Sequence, residues 1–146
     1  MAITNGASNF FVQYVYARER HRLTADAENR YRRVSKDVAG EIRAGFSKAI
    51  TLMPSFGPAY YRLGFFEMVQ GDDLVLAENY LRKSIELEPE NPEFVFSLAQ
   101  SQGKAKKYSE AQQTLESLRL SNVSADFRRQ VDQLLVQVKQ GHSFQE

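Results

Sequence analysis

The chain has 146 residues, 42% hydrophobic and 25% charged, enough apolar material for a core of one domain. A formal net charge of +1 gives no global field toward nucleic acid or anionic lipid, and the lack of cysteine excludes disulfides and thiolate metal sites. No apolar run approaches the ~18 residues of a membrane span, and MAITNGASNFF lacks the basic start and apolar stretch of a signal peptide, so a cytoplasmic location is expected.

In chain order, the first predicted helix follows Asn9. Asn9 stands eight residues before Ala17, as Asn91 stands eight before Ala99, and NFFVQYVYA matches NPEFVFSLA. Next, Ala27, Tyr31, Val34, Val38, Ile42, Phe46, Ala49 and Met53 recur at steps of three and four, a helical stripe. Thr24 suits an N-cap, with Asp26 and Glu28 in the first turn. One long helix is therefore predicted over roughly 25–53. Gly40 and Gly45 weaken it by about 1 kcal/mol each against Ala, unless they mark close packing.

Two similar units follow. Pro58 and Pro92 are 34 residues apart, and Pro54 and Pro89 are 35. Tyr60-x-x-Leu63-Gly64 recurs as Val95-x-x-Leu98-Ala99. Each unit turns at a polar stretch, QGDDL or KAKKY, and resumes as Ala77-x-x-x-Leu81 or Ala111-x-x-x-Leu115. Proline cannot continue a helix and disfavours helical geometry just before it, so Pro89 closes one unit. Pro92 opens the next in a first turn, where its missing N–H costs nothing. Last, Ser124 caps a helix whose apolar stripe is Phe127, Val131, Leu134, Leu135 and Val138, with Lys139 and Gly141 at its end.

This period, with its aromatic, Leu-Gly, Ala and Pro positions, resembles the tetratricopeptide repeat, a helix–turn–helix of about 34 residues. Residues 57–91 resemble one repeat with a single extra residue near Asp72-Asp73, and 92–123 another without the closing Pro. Residues 9–56 resemble a degraded first repeat whose second helix is extended, with about 13 residues more than the pattern allows. Residues 124–140 would cap the stack, because a solenoid cannot leave its last apolar face open. The resemblance implies a single all-α domain over 1–146, with about seven helices in a right-handed superhelix.

It also implies a non-catalytic protein–protein interaction module whose first helices line a concave groove. The second, fifth, ninth, twelfth and thirteenth positions of each repeat usually face it. These are Phe11, Tyr14, Arg18, His21 and Arg22, then Pro58, Tyr61, Phe65, Met68 and Val69, then Glu93, Phe96, Gln100, Gly103 and Lys104. The candidate partner-binding set is Tyr14, Arg18, Arg22, Tyr61, Arg62, Phe65, Met68, Phe96, Gln100 and Lys104. Aromatic walls suit a peptide or helix of a protein partner, and basic rims favour acidic flanks on it. Co-chaperones of this family that grip a terminal carboxylate use Lys at the fifth position and Asn at the ninth; Tyr14 and Arg18 do not fit that clamp. Aromatics at helical spacing are also ordinary core, and the groove is either open or filled by the long helix or the terminal one. Three other readings stand beside this one. One is a repeat domain of a larger bacterial protein with a peptidase-like portion. Another is a homo-oligomeric scaffold joined through the projecting part of helix 25–53. The third is a secretion-type chaperone.

The charge is uneven: residues 1–56 carry nine Lys/Arg against five Asp/Glu, and 57–146 ten against thirteen. RERHR (18–22) and RYRR (30–33) hold most of the excess, without a nucleic-acid motif. The two histidines, His21 and a frayed-tail His142, have no metal spacing, and neither a phosphate loop nor a nucleophile–base pair can be named. No cofactor, metal or catalytic residue is expected. Asn122-Val123-Ser124 fits a glycosylation sequon, a weak signal beside the capping role of Ser124.

Overall fold

The computed structural model of the chain describes residues 9–143, the last two in backbone only. The readings of residues 1–8 and of the His142 side chain fall outside the described residues. The described residues form seven α-helices and no strand, the all-α class expected. They are α1 (Phe10–Arg22), α2 (Lys36–Leu52), α3 (Gly57–Gln70), α4 (Leu74–Leu87), α5 (Pro92–Lys104), α6 (Tyr108–Arg119) and α7 (Ala125–Ser143). They fall into two compact units, divided between Leu87 and Glu88.

Local signals start and stop these helices. The Asn9 side chain accepts from the N–H groups of Phe11 and Val12, and Asn91 accepts from Glu93 N–H. Each satisfies amides that have no partner inside the helix. The Asp73 carboxylate does the same for Leu76 N–H at 2.9 Å, and the Ser124 hydroxyl for Phe127 N–H at 3.2 Å. Gly71 ends α3 with φ 76°, a left-handed conformation that costs a glycine little.

In the first unit, α1 packs on α2 and α3, α2 on α3, and α3 on α4. Tyr14, Ala17, Ile42, Phe46, Ala49, Leu63 and Phe66 make its core. Small residues set the helix spacing. A Cβ on Gly45 would stand 2.7 Å from the Ala17 Cβ, and one on Gly64 would stand 2.8 Å from Leu81 Cγ. Gly45 therefore marks close packing, the alternative to a merely weakened helix. Gly40 does not, since nothing lies within 4 Å of a Cβ there.

The long helix predicted over 25–53 is absent; α2 begins at Lys36. Short polar side chains explain the difference, because they compete with helical hydrogen bonds. The Thr24 hydroxyl donates to His21 O at 2.6 Å, so it closes α1 rather than opening α2. The Asp26 carboxylate accepts from the backbone N–H groups of Glu28 and Arg30, an arrangement incompatible with a continuing helix. Asn29 sits at φ 57°. Ser35 is the true N-cap, accepting from Val38 N–H at 3.3 Å. Residues 23–35 thus form a strap, and the projecting helix invoked for a homo-oligomeric scaffold does not exist.

In the second unit, α6 packs on α5 and α7, and α5 touches α7. Ala99, Ala111, Leu115, Leu118, Val131, Leu135 and Val138 make its core, with Phe127 and Leu134 partly buried beside it. The expected stripe of the last helix is thus its packed face. That helix does not stop at Gly141. It runs on to Ser143, and a Cβ at 141 would meet the Tyr108 ring at 2.6 Å. Gly141 is there for the ring, not for a turn.

Candidate functional site

Candidate binding positions occur in each of the two units, described in turn. In the first unit, three of the groove positions expected from the sequence, Tyr14, His21 and Met68, are not surface. Tyr14 is buried, edge-on to Phe56 at 5.0 Å and tilted against Phe46 at 6.1 Å. Met68 is also buried. Periodicity alone could not separate these from wall positions, since both facings recur every three to four residues. Tyr61, Arg62 and Phe65 remain half-buried on α3, with the Arg62 guanidinium 5.5 Å from the Tyr61 ring centre.

The strap covers part of this face. The Tyr31 ring lies 4.4 Å from His21 and stands edge-on to Phe65 at 5.3 Å. His21 is only 2% exposed and also meets Phe66 edge-on at 5.0 Å. Burial, helped by the positive charge of Arg62, lowers the His21 pKa to about 4. Gln70, 3% exposed at the end of α3, holds the strap by its backbone. Its Oε1 accepts from Val34 N–H at 3.0 Å, and its Nε2 donates to Arg32 O at 3.4 Å. Arg33 donates to Gln70 O at 2.6 Å and pairs with Asp72 at 2.8 Å. Sequence reasoning missed the hold of Gln70 on Arg32 and Val34, because 38 and 36 residues separate them and nothing local links them.

The arginines of the basic segments pair with nearby carboxylates. Arg18 and Arg22 both pair with Glu19, and the Glu19 carboxyl is held below its usual range chiefly by the Arg22 hydrogen bond. Arg20 pairs with Glu41, Arg30 with Asp26 and Glu28, and Arg32 with Asp26. Five arginines thus share four carboxylates, so the excess of positive charge is reduced but not cancelled.

In the second unit, Phe96, Gln100 and Lys104 lie along α5 and face α7. Phe96 packs edge-on to Phe127 at 5.6 Å. Two open hollows, about 320 and 260 Å³, share Gln100, Leu134 and Gln137 and so form one trough along α5 and α7. Its wall is completed by Phe96, Gly103, Lys104, Tyr108, Val138, Gln130 and Gln133. Gln130, Gln133 and Gln137 recur at steps of three and four, a polar stripe legible in the sequence beside the apolar one. A third hollow, about 450 Å³, lies between the Pro89–Pro92 turn and Asn122 and contains none of the expected groove residues.

The family model described as tetratricopeptide repeat matches residues 68–134, from the end of α3 into α7. No curated protein matches the chain.

Proposed function

We propose that the chain, whose residues 68–134 match the tetratricopeptide repeat family, is a non-catalytic binder of an extended, largely uncharged segment of a partner protein. Such repeats generally mediate protein–protein interaction, so the open question is which face does so and by what chemistry. The observation that carries this reading is the trough along α5 and α7. Phe96 and Leu134 supply an apolar floor, and four glutamine side chains surround it. Each glutamine amide offers two donors and an accepting oxygen. That set matches the alternating N–H and C=O groups of an extended main chain, and is neutral to the sign of its side chains. Lys104 is the one charged group in the lining.

The role proposed for each predicted residue is unequal. Phe96, Gln100 and Lys104 act in the trough. Tyr61, Arg62 and Phe65 belong to the α3 face of the first unit, and Tyr14 and Met68 contribute by packing. Peptide selection from a displayed random library tests the proposal. Wild type should enrich a consensus peptide, and Leu134→Arg/Gln137→Arg should lose it by about tenfold or more, as expected when one or two interface anchors are removed. A consensus peptide held equally well by that variant would place the site elsewhere, and no enrichment at all would remove the reading.

A further inference from the structure

The strap of residues 23–35 is laid on α1 and α3 as a bound peptide would be. Its attachment has the three parts of extended-segment recognition: a main-chain clamp, a side-chain slot and a charge reader. Gln70 is the clamp, because its single amide both donates to Arg32 O and accepts from Val34 N–H. His21 and Phe65 are the slot, receiving the Tyr31 ring. The charge reader is the end of α3, where the Gln70 carbonyl and the Asp72 carboxylate take the Arg33 guanidinium. A helix C-terminus favours a cation there.

Two features set this apart from an ordinary connecting loop. The strap is held from one side only: Arg32 and Arg33 are exposed, Tyr31 is half-exposed, and the Arg33–Asp72 pair is open to solvent on both sides. Exposed pairs of that kind contribute little. The strap also fits imperfectly. The buried His21 Nε2 finds no hydrogen-bond partner among the described residues, and such atoms are rare in settled interiors.

We propose that the His21–Phe65 slot and the end of α3 form a recognition site for a partner segment with an aromatic residue followed two places later by arginine, and that residues 31–34 of this chain are its built-in competitor. This rests on reading the chain as a binder of protein segments, but on a face other than the trough. A tethered competitor acts at an effective concentration on the order of millimolar, so a free peptide of equal intrinsic affinity is nearly excluded until the strap is weakened. Weakening the strap therefore switches the site on without altering the slot.

The test uses a fluorescently labelled synthetic peptide of residues 28–36, ENRYRRVSK, and the full chain. Tyr31→Ala/Arg33→Ala should bind it at least about tenfold more tightly than wild type, by fluorescence anisotropy at fixed salt. The same peptide with its tyrosine replaced by alanine should lose that gain, as should adding Phe65→Ala to the variant. Arg33→Ala alone, at an exposed position, provides the same comparison if the double variant does not fold by circular dichroism. Equal binding to wild type and variant, or binding indifferent to the peptide tyrosine, overturns the proposal. So does a concentration-dependent wild-type dimer abolished by Tyr31→Ala, which would make a second copy the occupant. If library peptides still bind the trough while this peptide fails, the strap proposal alone falls.

Discussion

The Arg43 guanidinium grips the buried Glu67 carboxylate through two nitrogens, its Nη2 reaching Oε2 at 3.1 Å, and so ties α2 to α3. The guanidinium also lies 5.4 Å from the Phe66 ring centre, and the bond to Glu67 raises the Arg43 pKa. Glu67 is 4% exposed in its side chain and Arg43 40%. Removing one partner strands a buried charge, which costs ~3–5 kcal/mol for a fully buried pair. The exposure of Arg43 reduces this, so Arg43→Ala should lose about 2 kcal/mol by urea denaturation. Arg43→Met/Glu67→Leu should recover most of that loss. A double variant as unstable as the single one would show that the pair itself, and not the stranded carboxylate, carries the effect.

Two glycines on α2 should respond with opposite signs. Gly40→Ala should stabilise by about 1 kcal/mol, since alanine is the better helix former and nothing lies near its Cβ. Gly45→Ala should destabilise, because its Cβ would press on the Ala17 Cβ, and overpacking costs ~1–3 kcal/mol against the same helical gain. Thermal melting of the two variants beside wild type checks both.

His21 makes stability depend on pH. Its pKa falls from 6.5 to about 4 on folding, because burial disfavours the imidazolium. Between these values the unfolded chain binds more protons than the folded one, so stability rises with pH across that window. The contribution is complete above pH 6.5 and is lost as pH falls through 4. Its full size is about 3 kcal/mol at 1.36 kcal/mol per unit. Chemical denaturation from pH 4 to 8 should show this rise, and His21→Phe should flatten it. An unchanged slope in the variant would assign the dependence to other groups.

Asp26 orders the near end of the strap. Hydrogen bonding, first from the Arg30 backbone, holds its carboxyl below the usual range. Asp26→Ala should speed tryptic cleavage after Arg30, Arg32 and Arg33 several-fold, because local opening governs proteolysis. The global unfolding midpoint should stay near wild type, as Asp26 lies outside both cores. Cleavage at the wild-type rate would mean that Gln70 alone orders the segment.

Outside residues 25–35, the local sequence already specified which segments coil, in what phase and where most of them stop. Asn9, Asn91 and Ser124 cap through bonds of two or three residues, and the stripe from Phe127 to Val138 reports a packed face through short-range periodicity. Ser35 with Asp37 offered as good a start signal for α2 as Thr24 with Asp26. The spacing of Ala27, Tyr31 and Val34 fits a helix equally well, so period alone could not choose between them. Tertiary structure chose. Tyr31 finds His21 and Phe65, while Val34 finds the Gln70 amide 36 residues away. The same limit applies to Tyr14 and Phe65, both aromatic, on equivalent helices and expected to line one groove. One is core and the other half-exposed, because the burial of a ring depends on what packs over it, and the covering element is distant in sequence.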